Sequence, residues 1–325
     1  APGFQVVGAQ IGLAHAGGFG GVEATLEQLG AALLRERRSE RRWRVFFRIA
    51  WLLLIGAVLW ALLSQRVSHS TAVGPHTALV EIRGEIAVDG EASAENIVGA
   101  VKRAFEDSNS RAVVLRINSP GGSPVQAGIA NDELLRLKAK HGKKLYAVVE
   151  EVCASGAYYV AVAADEVFVD KASIVGSIGV LMDGFGFTGA MEKLGVERRL
   201  ITAGENKGIL DPFSPMSPRQ REHVQRMVDQ IHAQFIGVVK AGRGDRLRQS
   251  PDTFSGLFWN GEESIRLGLA DRIGNLDFVA REVVKAEEVV DYTAKENVAE
   301  RLAKRFGAAV GEGAVKALRA LPPLR

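Results

Sequence analysis

The 325-residue chain has one cysteine, Cys153, and only ten prolines. A lone cysteine cannot close an intramolecular disulfide and excludes any multi-cysteine metal site. Six histidines are present, but none sits in an H-E-x-x-H zinc signature, and no G-x-x-x-x-G-K-[ST] phosphate loop occurs. The chain also has little charge imbalance. It carries 41 basic and 38 acidic residues, and the whole excess of +3 lies in residues 1–48, where seven arginines face four glutamates. Beyond that segment the charges cancel, so a basic surface spread over the fold, as a nucleic-acid partner requires, is excluded. A content of 47% hydrophobic and 24% charged residues is that of a globular protein. It excludes a disordered chain or a polytopic membrane protein.

What is present begins with an apolar run. Ile49 to Leu63 is 15 residues without a charge, and extension back to Val45 across Arg48 gives 19. About 20 apolar residues cross a bilayer, with a lower limit near 17. A buried core helix and a cleaved signal peptide are the alternatives. No polar face interrupts the run, and no A-x-A cleavage site follows Leu63. The reading is therefore a signal anchor over 45–63. The arginine excess holds residues 1–44 in the cytoplasm and sends the rest outside it. Residues 64–76 read as a linker, 77–290 as the main domain, and 291–325 as a tail with an amphipathic helix over Glu296–Leu318. A helix over Val22–Arg48 precedes the anchor.

In the main domain short β runs alternate with helical patterns. Strands are expected at Thr77–Ile82, Ala112–Ile117, Leu145–Glu150, Glu166–Val169, Ile178–Met182, Val196–Thr202 and Leu269–Ile273. Helices are expected at Ala94–Ser108, Gln126–Lys140, Gly156–Ala164, Pro218–Lys240 and Gly261–Leu267. This order predicts an α/β fold with mostly parallel strands.

Two strand ends carry candidate chemistry. Asn118-Ser119-Pro120-Gly121-Gly122-Ser123 follows one buried strand; paired glycines permit positive φ and close approach. Its backbone N–H groups can face a developing anion, or the segment is a plain turn. Cys153-Ala154-Ser155-Gly156 follows the next strand. A serine among small residues at a strand-to-helix turn suits a nucleophile, with a helix cap as the alternative. Cys153 reads as a small buried apolar residue. A serine nucleophile needs a base, and no histidine lies in a glycine-rich strand end. Lys207, in Thr202-Ala203-Gly204-Glu205-Asn206-Lys207-Gly208, is the candidate, with a solvated surface charge as the alternative. A lysine has to lose water before it can accept a proton near neutral pH. Gly184-Phe185-Gly186-Phe187-Thr188-Gly189 spells G-x-G-x-x-G, but no helix pattern opens there within a βαβ unit, and a glycine-rich turn or a mobile strand in the substrate cleft is the reading.

Together the stretches NSPGGSP (118–124), ASGAYYVAVAAD (154–165), SIVGSIGVLM (173–182), AGENKGILDPFSPMSPRQ (203–220) and WNGEESIRLGLADRIG (259–274) resemble the bacterial signal peptide peptidase A family of membrane-bound serine peptidases. The similarity runs from about Val22 to Arg281. The resemblance implies a Ser155/Lys207 dyad and no cofactor or metal. It implies a fold shared with the Clp proteolytic subunit and crotonases, a βαβ superhelix behind one transmembrane helix. The Clp subunit has a histidine some 25 residues after its serine; Val180 stands there. Gly121, Gly122 and Gly156 would supply the oxyanion hole, with Asn118 and Ser177 in support. The family further implies a homo-octamer on the outer face of the bacterial inner membrane, the dyad shared between neighbours. Its substrates would be cleaved signal peptides and other hydrophobic segments beside membrane lipid. Two rival readings are a crotonase-like acyl-CoA enzyme and a non-catalytic pseudo-peptidase scaffold.

Overall fold

The structure is a computed structural model and describes residues 43, 45–57 and 74–294. The chain divides into two compact units, residues 1–70 and 71–325. In the first, residues 45–57 form a helix, α1, with exposed Phe46, Phe47, Trp51, Leu52 and Leu53. No helix among the described residues is long and apolar enough to cross a membrane. The expected span continues to residue 63, and its last six residues lie outside the described ones. So do the helices expected over Glu296–Leu318 and most of Val22–Arg48.

The second unit is built on a parallel sheet. In chain order its elements are β1 (His76–Arg83), α2 (Ala94–Glu106), β2 (Ser110–Ser119), α3 (Pro124–His141), β3 (Lys144–Ala154), α4 (Gly156–Ala161), β4 (Glu166–Val169), β5 (Ile174–Gly176), α5 (Thr188–Lys193), α6 (Pro218–Arg243), β6 (Phe258–Trp259), α7 (Gly261–Arg266), β7 (Arg272–Ile273), a helical stretch from Leu276 to Val284 and β8 (Val289–Asp291). The strand order is β6-β5-β3-β2-β1-β8, with β4 and β7 branching from β3. Every pair is parallel except β5 with β6. The chain is thus an α/β fold, as its alternating pattern predicts.

Both faces of the sheet are covered, which is why its strands read as nearly continuous apolar runs. On β2, Val113, Leu115 and Ile117 join the larger core, while Ala112 and Val114 join Tyr146, Val148 and Phe168 on the opposite face. Helix α2 starts where Ser93 accepts from the Asn96 N–H, and it buries Ile97, Ala100, Val101, Ala104 and Phe105. Helix α3 starts at Ser123 with Pro124 behind it and ends at Gly142, whose φ is 62°. Helix α6 has a capping box between Ser217 and Gln220, yet buries only Phe235, Val239 and Arg243. Arg243 anchors its far end through a bidentate pair with Asp271 at 2.9 and 2.8 Å and a bond to the Gly268 carbonyl.

Two expected strands are absent. Ile178–Met182 and Val196–Thr202 have no ladder partner among the described residues and are irregular, and Leu269–Ile273 shortens to the two residues of β7. Ile178 is buried in the core, but most of the other apolar residues in the two absent strands face outward: Leu181 is 81% exposed and Ile201 96%. A strand needs a neighbour for its backbone groups, and the described residues of this chain provide none there.

Candidate active site

The loop after β2 is held against the segment after β1. The Ile86 N–H donates to the Gly121 carbonyl at 2.8 Å, and the Ser123 N–H donates to the Ile86 carbonyl at 2.8 Å. Gly121 has φ 99° and Gly122 φ 145°. A Cβ on Gly121 would lie 2.6 Å from both the Ala154 carbonyl oxygen and the Gly156 nitrogen, and one on Gly122 would strike the Ile86 carbonyl. Both positions therefore demand glycine, for conformation and for space. The Gly121 N–H is already taken by the Ser119 hydroxyl at 3.1 Å. The Gly122 N–H has no protein acceptor among the described residues and borders a cleft.

Ser155 stands opposite, between β3 and α4. Its φ of 52° and ψ of −124° are unusual for a residue with a Cβ. The turn is pinned because the Ser155 N–H donates to the Gly176 carbonyl at 2.9 Å, and the Ser155 carbonyl accepts from Tyr159 at 3.0 Å. The side chain makes no capping bond to α4. The helix-cap alternative is thereby set aside: the hydroxyl is free and lines the cleft. Gly156 opens α4, so its N–H has no helical acceptor. It borders the cleft alongside Gly122.

The far wall comes from β5 and the segment after it. Gly176 has φ 120°, and a Cβ there would enter the Trp259 ring at 2.8 Å. Ser177 has φ 52°, donates from its N–H to the Leu257 carbonyl at 2.7 Å, and lines the cleft. Tyr159, Ile231 and Phe235 give an apolar side to a space of about 520 Å³. Burial raises the Tyr159 phenol above its ordinary pKa, so its hydroxyl stays protonated. The cleft thus joins a free serine hydroxyl, two free N–H groups and an apolar wall, the parts that acyl transfer at a peptide carbonyl requires.

The sequence profile of peptidase family S49 matches residues 137–290, which contain Ser155, Gly156, Ser177 and Lys207. Just under half of the chain thus matches the S49 peptidases. Two Brucella proteins, from B. melitensis biotype 1 and B. abortus, are both named Na(+)/H(+) antiporter NhaA. They are 43% and 42% identical to this chain over 210 residues, 63% of it and 28% of each of them. A Methanocaldococcus jannaschii protein with a provisional protease name is 35% identical over 199 residues, 59% of this chain and 63% of its own. Protease 4 of Haemophilus influenzae is 30% identical over 234 residues, 70% of this chain and 37% of that one. The chain thus spans between 28% and 63% of the length of these relatives.

The remaining expected residues are placed differently. Lys207 is exposed in a turn where its N–H donates to the Gly204 carbonyl at 3.1 Å, and it does not line the cleft of its own chain. The Asn118 carbonyl accepts from the Gly84 N–H at 3.0 Å, outside the cleft lining. Cys153 is fully buried, and burial pushes its thiol far above the ordinary value, so it is no nucleophile. His76 is buried at the start of β1, not in a solvated linker. Its Nε2 lies 2.9 Å from the Tyr292 hydroxyl, which donates to Asp107. The G-x-G-x-x-G run opens a helix after all, the six-residue α5, but no strand of the sheet leads into it. Among the described residues no cluster of three metal-ligating side chains exists.

Two residues, one behind the cleft wall and one in its lining, were not read from sequence as site residues. His232 on α6 places Nε2 3.0 Å from the Ile178 carbonyl and so tethers the wall beyond Ser177. Glu85 lines the cleft just after β1. Its signal was its place beyond the carboxyl end of a parallel strand, where open α/β sheets put their ligands.

Proposed function

We propose that the chain is a membrane-anchored serine endopeptidase that degrades cleaved signal peptides and other hydrophobic segments. The observation that carries this reading is Ser155: its uncapped hydroxyl shares one cleft with the free N–H groups of Gly122 and Gly156. Ser155 attacks the scissile carbonyl as a base removes its proton. The oxyanion forms against Gly122 and Gly156, with Gly121 shaping their approach. Loss of one such donor typically costs about 2.7–4 kcal/mol of barrier. The protonated base hands its proton to the leaving amine, and water then releases the acyl-enzyme.

Lys207 is the proposed base, supplied by the adjacent copy in a ring of about eight subunits. Its exposure suits that role, because within one chain it reaches no cleft. So do the exposed apolar side chains of the same stretch of chain, among them Leu181, Phe185, Leu194 and Ile201. An ammonium taken from water into such an interface gives up its proton more readily. Ser177 would steady the amine or the substrate, and Asn118 the loop. The fold reading goes with a Clp and crotonase-like superhelix. The placement reading puts this domain outside the cytoplasm, tethered by residues 45–63. The antiporter name of the Brucella relatives belongs to chains of which this one matches 28%. Ion transport through a bilayer requires spanning helices or a closed barrel, whereas the domain here is an open parallel sheet.

The test is cleavage of a fluorogenic apolar peptide by the full chain in detergent. Ser155→Ala and Lys207→Ala should each abolish it with oligomer size unchanged. Undiminished cleavage by Ser155→Ala would end the reading.

A further inference from the structure

Among the fifteen residues that line the cleft, Glu85 is the one that carries a charge. It is exposed and has no hydrogen-bond or ion-pair partner among the described residues. It is nevertheless firmly placed. On one side the Gly84 N–H donates to the Asn118 carbonyl at 3.0 Å; on the other Ile86 is bonded both ways to the Gly121–Ser123 loop. The backbone that carries this carboxylate is thus clamped to the loop that presents the Gly122 N–H. A carboxylate at the mouth of an apolar cleft lacks the counter-charge it would gain from a cationic ligand, and a charge-assisted hydrogen bond would add to that pairing.

We infer that Glu85 is a specificity residue: it selects substrates that carry an ammonium or guanidinium group within a residue or two of the apolar residue seated against Tyr159 and Phe235. The substrate class is therefore a mixed segment, apolar with an adjacent cation, rather than a uniformly apolar one. This rests on the peptidase reading, since it takes the cleft to hold a peptide. The cation has two sources, a Lys or Arg side chain or the free amino terminus of a short peptide.

Binding separates this inference from the chemistry. The full chain with Ser155→Ala is titrated with fluorescein-labelled apolar peptides by anisotropy. The peptides carry Lys, Gln or Glu beside the apolar residue with acetylated amino termini, and a fourth carries Gln with a free amino terminus. The Lys peptide should bind about three- to tenfold more tightly than the Gln peptide at low salt. The preference should shrink at about 0.5 M salt. It should vanish in Glu85→Gln and turn toward the Glu peptide in Glu85→Lys. Preference for the fourth peptide alone assigns the site to the amino terminus and supports the same carboxylate role. With Ser155 intact, the kcat/KM ratio of Lys to Gln peptides should follow the binding ratio. An unchanged ratio in Glu85→Gln overturns the inference. So does an equal loss of cleavage for every peptide, which would make Glu85 part of the chemistry. Absence of all cleavage by the unsubstituted chain would count against the peptidase reading alone, because anisotropy still reads the selectivity.

Discussion

Ser155 occupies a backbone conformation that glycine would adopt at lower cost. The strain belongs to the turn that lifts the hydroxyl into the cleft, as residues at functional sites often show. Ser155→Gly should therefore be more stable than Ser155→Ala by about 1 kcal/mol, both being inactive. Urea denaturation of the two variants measures this, and equal midpoints would mean that the turn stores no strain. Gly121 meets the same turn from the other side. Its added Cβ would press on the Ala154 carbonyl and the Gly156 nitrogen. Gly121→Ala should lower kcat by about 100-fold, the scale of an ångström-sized misplacement, with a smaller change in KM. Steady-state kinetics with one peptide gives both parameters. At this scale Ser155, Gly122 and Gly156 could be named as candidates from sequence because small residues at strand ends permit close approach, though a turn or a helix cap uses them too. Glu85 was not, since one exposed carboxylate looks like any other until the cleft is seen beside it.

At the level of elements, the domain is closed by β8, which pairs with β1 and leads to Tyr292. The Tyr292 hydroxyl donates to Asp107 and lies against His76, and the Arg103 guanidinium donates to the Tyr292 carbonyl at 2.9 Å. The Tyr292 bond is the largest influence holding the Asp107 carboxyl below its usual range. A depressed folded-state pKa contributes stability above the unfolded value and loses it as pH falls through the folded one. Tyr292→Phe should therefore destabilise the domain at pH 7. The difference from the unsubstituted chain should narrow below about pH 4, where the unfolded chain takes up a proton that the folded carboxylate still refuses. Denaturant midpoints at the two pH values test it; a constant difference would show that the bond does not depend on the charge. The long elements were legible from periodicity: α2, β2, α3, β3 and α6 lie where the pattern puts them. β5, β6 and β8 have two or three residues each and exist only through their neighbours, so no local pattern announces them. The same dependence on neighbours explains why 178–182 and 196–202, apolar enough for strands, are irregular here.

For the whole molecule the proposed shared dyad makes a quantitative prediction. In a ring mixed equally from Ser155→Ala and Lys207→Ala chains, a site works only where an intact serine meets an intact lysine from the next copy. About a quarter of the full activity should return on mixing two inactive preparations. A dyad within one chain predicts none. Dilution below the association range should abolish activity together with the large species in sedimentation velocity. Persistent activity of a monomer would exclude sharing. The backbone amides between Ser177 and Ser217, where exposed apolar side chains gather, should become protected from hydrogen exchange only in the associated form.

The sequence by itself determined the alternation of strands and helices, the glycines that let two strand ends approach, and the serine at the turn between β3 and α4. These depend on local sterics and on spacing along the chain, which a single sequence carries in full. Tertiary structure decided that the Gly122 and Gly156 N–H groups are left free while that of Gly121 is not. It also decided that Ser155 declines to cap its helix, that Glu85 is the cleft's one charge, and that Lys207 stands outside the cleft of its own chain. Each of these is a question of which groups meet across long stretches of chain, and only packing answers it.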